Sequence, residues 1–164
     1  MVLDNYKNFI DQLITKIKAN GIDLSNYELD HLGYKASSNE DYDDLKKEMS
    51  DLGEEVSEEL VNGRRVGIYK LKEPLVYDKY IIPAMELIAP KEGEVCPSSL
   101  EHVEFVVDTS LEEFAGRYPT LDWNMTKINQ TLFPMITLDL GSNTQVKFHH
   151  KPVLEIIKEK ENKK

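Results

Sequence analysis

Two stretches decide the fold, Leu29-Asp30-His31-Leu32-Gly33-Tyr34 and Leu100-Glu101-His102-Val103-Glu104-Phe105. Both read Leu, acid, His, aliphatic, any residue, aromatic. Each opens a segment in which a strand pattern is followed by a helical one and then by further strands. In the first, Leu32, Tyr34 and Ala36 share one face of a two-residue period, and Leu29, His31 and Gly33 share the other. Two such units in one chain predict two half-sheets related by a pseudo-twofold axis, with the His of each first strand facing a shared concave side.

Working outward, Ser38 or Asn39 can cap a helix through Tyr42, Leu45, Met49 and Leu52. A hairpin follows from Val56 to Leu71 about Asn62-Gly63, a pair that supplies the positive φ angles of a type I′ turn. Glu73-Pro74 is expected to end that strand. Tyr80 to Pro90 reads as a fourth strand whose interior Pro83 implies an edge or a bulge. After a polar linker, Ser99 to Val107 is a strand, Ser110 caps a short helix, Leu121 to Ile128 is ambiguous, and two strands meet across Gly141-Ser142-Asn143. Apolar residues at three- and four-residue spacing between Leu3 and Asn20 predict an additional amphipathic helix that covers the outer face of the sheet. The expectation is a single α+β domain over 1–164. It has an N-terminal helix (3–20), two paired βαβββ modules (27–90 and 99–152) forming a curved mixed sheet around a central cavity, and a C-terminal helix and tail (153–164).

Composition narrows the function. Of 164 residues, 40% are apolar and 30% charged, as in an ordinary globular domain. A formal charge of −10 repels phosphate backbones and anionic membrane surfaces, so neither nucleic acid nor membrane is an expected partner. One cysteine, Cys96, excludes a disulfide framework and fits a reducing, cytoplasmic setting; Met1 to Lys7 lacks the pattern of a secretion signal. No Gly-rich phosphate loop, Gly-x-Ser-x-Gly elbow or Cys-x-x-Cys pair occurs.

The remaining chemistry lies in a few side chains. A metal needs imidazole and carboxylate donors converging on one point. His31 and His102 begin the two modules, Glu86 lies in the last strand of the first, and His149 in the last strand of the second. Each has an alternative: a strand histidine is often just a satisfied polar group, and Glu86 can face water. Glu104 shares the face of His102 and can act as a general base or orient the imidazole. Lys147 shares the face of His149 and can hold an anionic substrate group or be solvated. Arg65 and Tyr69, on one face of the first hairpin, are further substrate-binding candidates, against hairpin-capping and core roles.

At these residues the chain resembles the YecM-type proteins of the vicinal oxygen chelate superfamily, which also contains glyoxalase I, extradiol dioxygenases and bleomycin-resistance proteins. The resemblance runs from about Glu28 to Glu159. It rests on Asp30-His31-Leu32, Val61-Asn62-Gly63-Arg64, Tyr69 to Pro74, Met85-Glu86-Leu87, Glu101-His102-Val103-Glu104 and Val146-Lys147-Phe148-His149. It implies paired βαβββ modules and a divalent-metal site in which His31, Glu86 and His102 match the superfamily's ligand positions. His149 matches less well, because glyoxalase-like relatives usually carry an acid there. The implied activity is that of a metal-dependent isomerase, lyase or oxygenase acting on a small oxygen-chelating metabolite, with zinc, iron, nickel or manganese as the ion. Two His and one Glu favour iron(II), and His149 as a fourth ligand favours zinc or nickel. The alternative is a metal-free protein that sequesters a small ligand in the same cup. A monomer suffices to build the site, and a homodimer is compatible with it.

Overall fold

A computed structural model describes residues 1–163. The element order is α1 (Tyr6–Ala19), β1 (Glu28–Lys35), α2 (Asn39–Leu52), β2 (Gly53–Val61), β3 (Arg64–Tyr77), β4 (Tyr80–Ile88), β5 (Ser99–Val106), α3 (Leu111–Gly116), β6 (Ile136–Gly141), β7 (Thr144–His149) and α4 (Val153–Asn162). The seven strands form one mixed sheet in the order β2-β3-β4-β1-β5-β7-β6. β1 and β5, the strands that carry the repeated motif, lie antiparallel at its centre, and each pairs in parallel with the last strand of its own half, β4 and β7. This is the α+β architecture expected from the repeat.

Local chemistry sets most boundaries. The Ser38 hydroxyl accepts the Asp41 amide at the start of α2, and the Ser110 hydroxyl accepts that of Glu113 at α3. Asn62 and Gly63 take φ of 53° and 80°, the two positive values that the β2–β3 turn requires. One expectation changes, and one pair of alternatives is decided. β3 does not end at Pro74; its register with β4 slips between Lys70 and Leu75, which carries Pro74 through an unpaired bulge, and pairing then resumes to Tyr77. Of the edge and the bulge that Pro83 implied, the bulge holds, since β4 is internal. Pro83 sits opposite that bulge and just before the pairing of β4 with β1 begins at Ala84, so its missing N–H breaks no ladder. The second module also departs from the first. Where the first has β2, the second has a single bridge, Asn124 to Thr137, within an irregular segment.

The two faces of the sheet are buried differently. Leu32, Met85, Leu87, Tyr69, Val103, Phe105, Val146 and Phe148 point to one side and form the main core with Ile10, Leu13 and Ile17 of α1, Tyr42 and Met49 of α2, and Phe114 of α3. On the other side, Val66, Ile68 and Ala84 of the first half pack under Phe133 and Met135 of the loop before β6 and under Val153 and Ile157 of α4. This small separate cluster covers one end of that face. Polar side chains hold the middle.

Candidate metal centre

Register alone brings the polar side chains together. Across the central pair, His31 lies opposite Glu104 and Gly33 opposite His102. Glu86 is alongside Gly33, and Lys147 is alongside Glu104. Glu86 and Lys147 are therefore pseudo-symmetric: one half presents a carboxylate where the other presents an ammonium. Gly33 is the structural permission for this arrangement. A Cβ there would lie 1.8 Å from Cε1 of His102, so the imidazole occupies space that any other residue would fill.

Both histidines are wholly buried, with ring centroids 5.7 Å apart. Each is held from behind by the acid that precedes it in the chain: His31 Nδ1 is 2.8 Å from Asp30 Oδ2, and His102 Nδ1 is 3.1 Å from Glu101 Oε1. The alternation of a regular strand would place acid and imidazole on opposite faces. They meet because β1 and β5 shift register at both places, between Leu29 and His31 and between Gly33 and Tyr34, leaving Asp30 and Glu101 unpaired in the ladder. The first shift also sends Leu29 into the main core, away from the face of His31 on which simple alternation placed it. Asp30 and Glu101 were not among the site residues read from the sequence, although their signal was there as the acid of the repeated Leu-acid-His.

With Nδ1 of each ring engaged, Nε2 of each points into the centre and has no hydrogen-bond partner among the described residues. Glu86 lies between them, Oε2 at 3.4 Å from His31 Nε2 and Oε1 at 3.5 Å from His102 Nε2. Glu104 Oε2 is 3.5 Å from His31 Nε2 and 2.9 Å from His149 Nδ1, and its Oε1 is a further buried atom without a partner. Lys147 Nζ, buried, is 4.0 Å from Glu86 Oε1. His149 stands apart from Glu86 and His102, between Glu104 and Asp30, whose Oδ2 is 3.4 Å from its Nε2. Arg65 and Tyr69 are not brought to the centre. Arg65 pairs with Asp43 and Glu58 and lies over the Tyr42 ring, while Tyr69 donates to Glu55, all on the α2 side of the sheet.

The charges are mutually tuned. Burial alone would raise the carboxyls, yet His149 and His31 hold Asp30 well below the usual range, Lys147 and His31 do so for Glu86, and His102 for Glu101. Glu104 is likewise held low against its burial by the imidazoles of His149 and His31. Burial opposes the charge on His31, but Glu104 and Asp30 raise it well above normal. His149, opposed in the same way by burial, is pushed up to about 9 by Glu104 and Asp30. His102 is lowered, first by burial and then by Lys147.

Beside this centre, on the same face but over the second half, lies a cavity of about 440 Å³ whose walls include Lys35, Glu101, Trp123, Asn124, Thr137 and Gln145. The carboxylate that orients His102 thus forms part of the wall of an open space large enough for a small metabolite. At the other end, the Val153 amide at the start of α4 donates to Asp30 Oδ2, tying the closing helix to the centre. Among the described residues no helix is long and apolar enough to cross a membrane.

A family model described as YecM protein matches residues 1–160. Protein YecM of Escherichia coli is 24% identical over 115 residues, 70% of this chain and 60% of that protein. An uncharacterised protein of Haemophilus influenzae is 30% identical over 86 residues, 52% of this chain and 45% of that protein. The match thus spans about half the length of these curated relatives. Among solved structures, a structural-genomics protein designated EC4020 superposes with a TM-score of 0.77 at 22% identity, covering 96% of this chain and 90% of that one. The methylmalonyl-CoA epimerase of Streptomyces coelicolor, solved with 2-nitronate-propionyl-CoA, superposes with a TM-score of 0.53 at 12% identity, covering 74% and 94%. At these identities the likeness is one of fold.

Proposed function

The chain belongs to the YecM family, and from that premise we propose that it is a divalent-metal-dependent enzyme of the vicinal oxygen chelate type, acting on a small metabolite by proton transfer. One observation carries the metal: two buried imidazoles converge with Nε2 free of any partner while Nδ1 of each is fixed by its own carboxylate. This is how metal-binding histidines are oriented. His31, His102 and Glu86 would hold the ion. Glu104 joins them through Oε2, 3.5 Å from His31 Nε2, while its Oε1, buried without a partner, would take the proton that the metabolite gives up.

A bound divalent ion would supply Lewis acidity toward two neighbouring substrate oxygens. The chain's own groups do the rest. Asp30 and Glu101 keep the two rings in the tautomer that leaves Nε2 available. The Lys147 ammonium, unshielded by solvent, is placed to donate to an oxygen on which negative charge develops, which favours an isomerase or lyase over an oxygenase. α4 and the loop before β6 exclude water from the first half of the cup, and the cavity beside Glu101 leaves room for substrate over the second. The same Lys147 supports the alternative, a metal-free ligand-binding module, because an internal ammonium partly neutralises Glu86 without an ion.

The test has two arms. Tag-free protein stripped with chelator should gain thermal stability on adding Zn, Mn, Ni or Fe(II), and the His102→Ala variant should gain clearly less. Metal-loaded protein incubated with metabolite extract in D2O should introduce deuterium into a carbon-bound position of at least one compound, read by mass spectrometry against His102→Ala. No stabilisation by any of the ions leaves the binding-module reading. Stabilisation without deuterium uptake removes proton transfer.

A further inference from the structure

We propose that the centre is built for two divalent cations, with the Glu104 carboxylate shared between them. The first site is the one proposed above, on which this inference rests; the second is formed by Asp30, Glu104 and His149. His31, His102 and Glu104 each bring one donor atom within 4.8 Å of the others, and so do Asp30, Glu104 and His149. Glu104 alone belongs to both sets. It offers two oxygens, of which Oε2 already faces both His31 and His149 while Oε1 is buried without a partner.

His149 supplies the independent observation. It is 1% exposed, and both its ring nitrogens lack a hydrogen-bond partner among the described residues. Glu104 Oε2 lies 2.9 Å from Nδ1 and Asp30 Oδ2 3.4 Å from Nε2, ion-pair distances at which neither nitrogen makes a hydrogen bond. His31 and His102 differ in this respect, since each makes a true hydrogen bond through Nδ1. One nitrogen of a buried ring so placed can bind a cation that the Asp30 and Glu104 carboxylates complete, in exchange for the ion pair on that side. Two carboxylates and one imidazole form a harder donor set than that of the first site and suit Mn²⁺ or Zn²⁺. Carboxylate-bridged pairs of ions about 3.5–4 Å apart are a recurring means of binding substrate oxygens. Asp30 would then have two tasks, orienting His31 and holding the second ion, while the Val153 amide fixes its Oδ2.

The experiment uses the full chain, free of tag and stripped with chelator, dialysed to equilibrium against MnCl2. Bound manganese is counted by mass spectrometry and its spin state read by electron paramagnetic resonance. The expected result is two Mn²⁺ per chain with an exchange-coupled spectrum. In His149→Ala the count should fall to one, with the sextet of an isolated ion, while His102→Ala removes a ligand of the other site and should lose the ion there. One Mn²⁺ per wild-type chain, lost in His102→Ala and unaffected in His149→Ala, overturns the second site and leaves the first standing. Two ions that both survive His149→Ala also overturn it, and no bound manganese overturns both sites. If His149→Ala does not fold, the wild-type count and spectrum decide alone.

Discussion

Each central imidazole is fixed by the acid immediately before it, and this pairing is made possible by a local break in the strand. Glu101→Gln keeps the shape of the side chain and removes the charge that orients His102. It should lower affinity for the added metal by about 10–100-fold with the fold intact, as measured by titration calorimetry; an unchanged affinity would show that Glu101 positions nothing. Gly33→Ala should be more damaging than its size suggests, because the new methyl meets the His102 ring at 1.8 Å. A loss of about 1–3 kcal/mol in urea denaturation is expected, together with loss of the metal-induced rise in melting temperature. His31, His102 and Glu104 were legible from the sequence because a period of two sets them apart from the aliphatic face of their strands, and Glu86 because it is an acid inside the last, apolar strand of its module. Asp30 and Glu101 were not, because the same period puts them on the other, and a register shift leaves no mark in the spacing of apolar residues.

The elements differ in how firmly they are held. β1 and β5 are enclosed by paired strands and the main core, whereas α4 rests on the small cluster of Val66, Ile68, Ala84, Phe133, Met135 and Ile157, on the hydrogen bond from Val153 to Asp30, and on an ion pair of Lys160 with Glu59. Amides of α4 should therefore exchange with solvent sooner than those of β1 and β5, by mass spectrometry after a deuterium pulse. Equal protection would mean that α4 opens only with the whole fold. Ile157→Ala should cost about 2–4 kcal/mol and speed that exchange further. The stripe of α1, the cap of α2 and the Asn62-Gly63 turn were readable because each is a local signal. The course of β3 past Pro74 and the internal placement of Pro83 were not. Both depend on two irregularities facing each other across a strand pair, which no single stretch of sequence reveals. The ambiguity of Leu121 to Ile128 was real: that segment makes one bridge instead of a strand.

At the scale of the whole molecule, duplication supplies the architecture and divergence between the copies supplies the site. The repeat gave both halves a Leu-acid-His, but Gly33 answers Glu104, and Glu86 answers Lys147, so the centre is asymmetric. Its charges should shape the pH dependence of the metal-free fold. Asp30, Glu86, Glu101 and Glu104 are held below their ordinary values, so their contribution is present above about pH 4 and is lost as the pH falls below the unfolded values. His149, raised to about 9, contributes fully below about pH 6.5 and loses that contribution as the pH climbs through 9. Urea midpoints of the stripped protein should therefore peak between about pH 5 and 6.5 and decline on both sides; a flat profile from pH 3 to 9 would mean that these groups are not coupled to folding. The account rests most heavily on the convergence of the two Nε2 atoms upon a metal. Anomalous diffraction at the absorption edge of the added ion, from crystals grown with Mn²⁺ or Zn²⁺, tests it most directly. A peak within coordination distance of both His31 and His102 is the predicted result, and an anomalous map with no peak between those rings would contradict it.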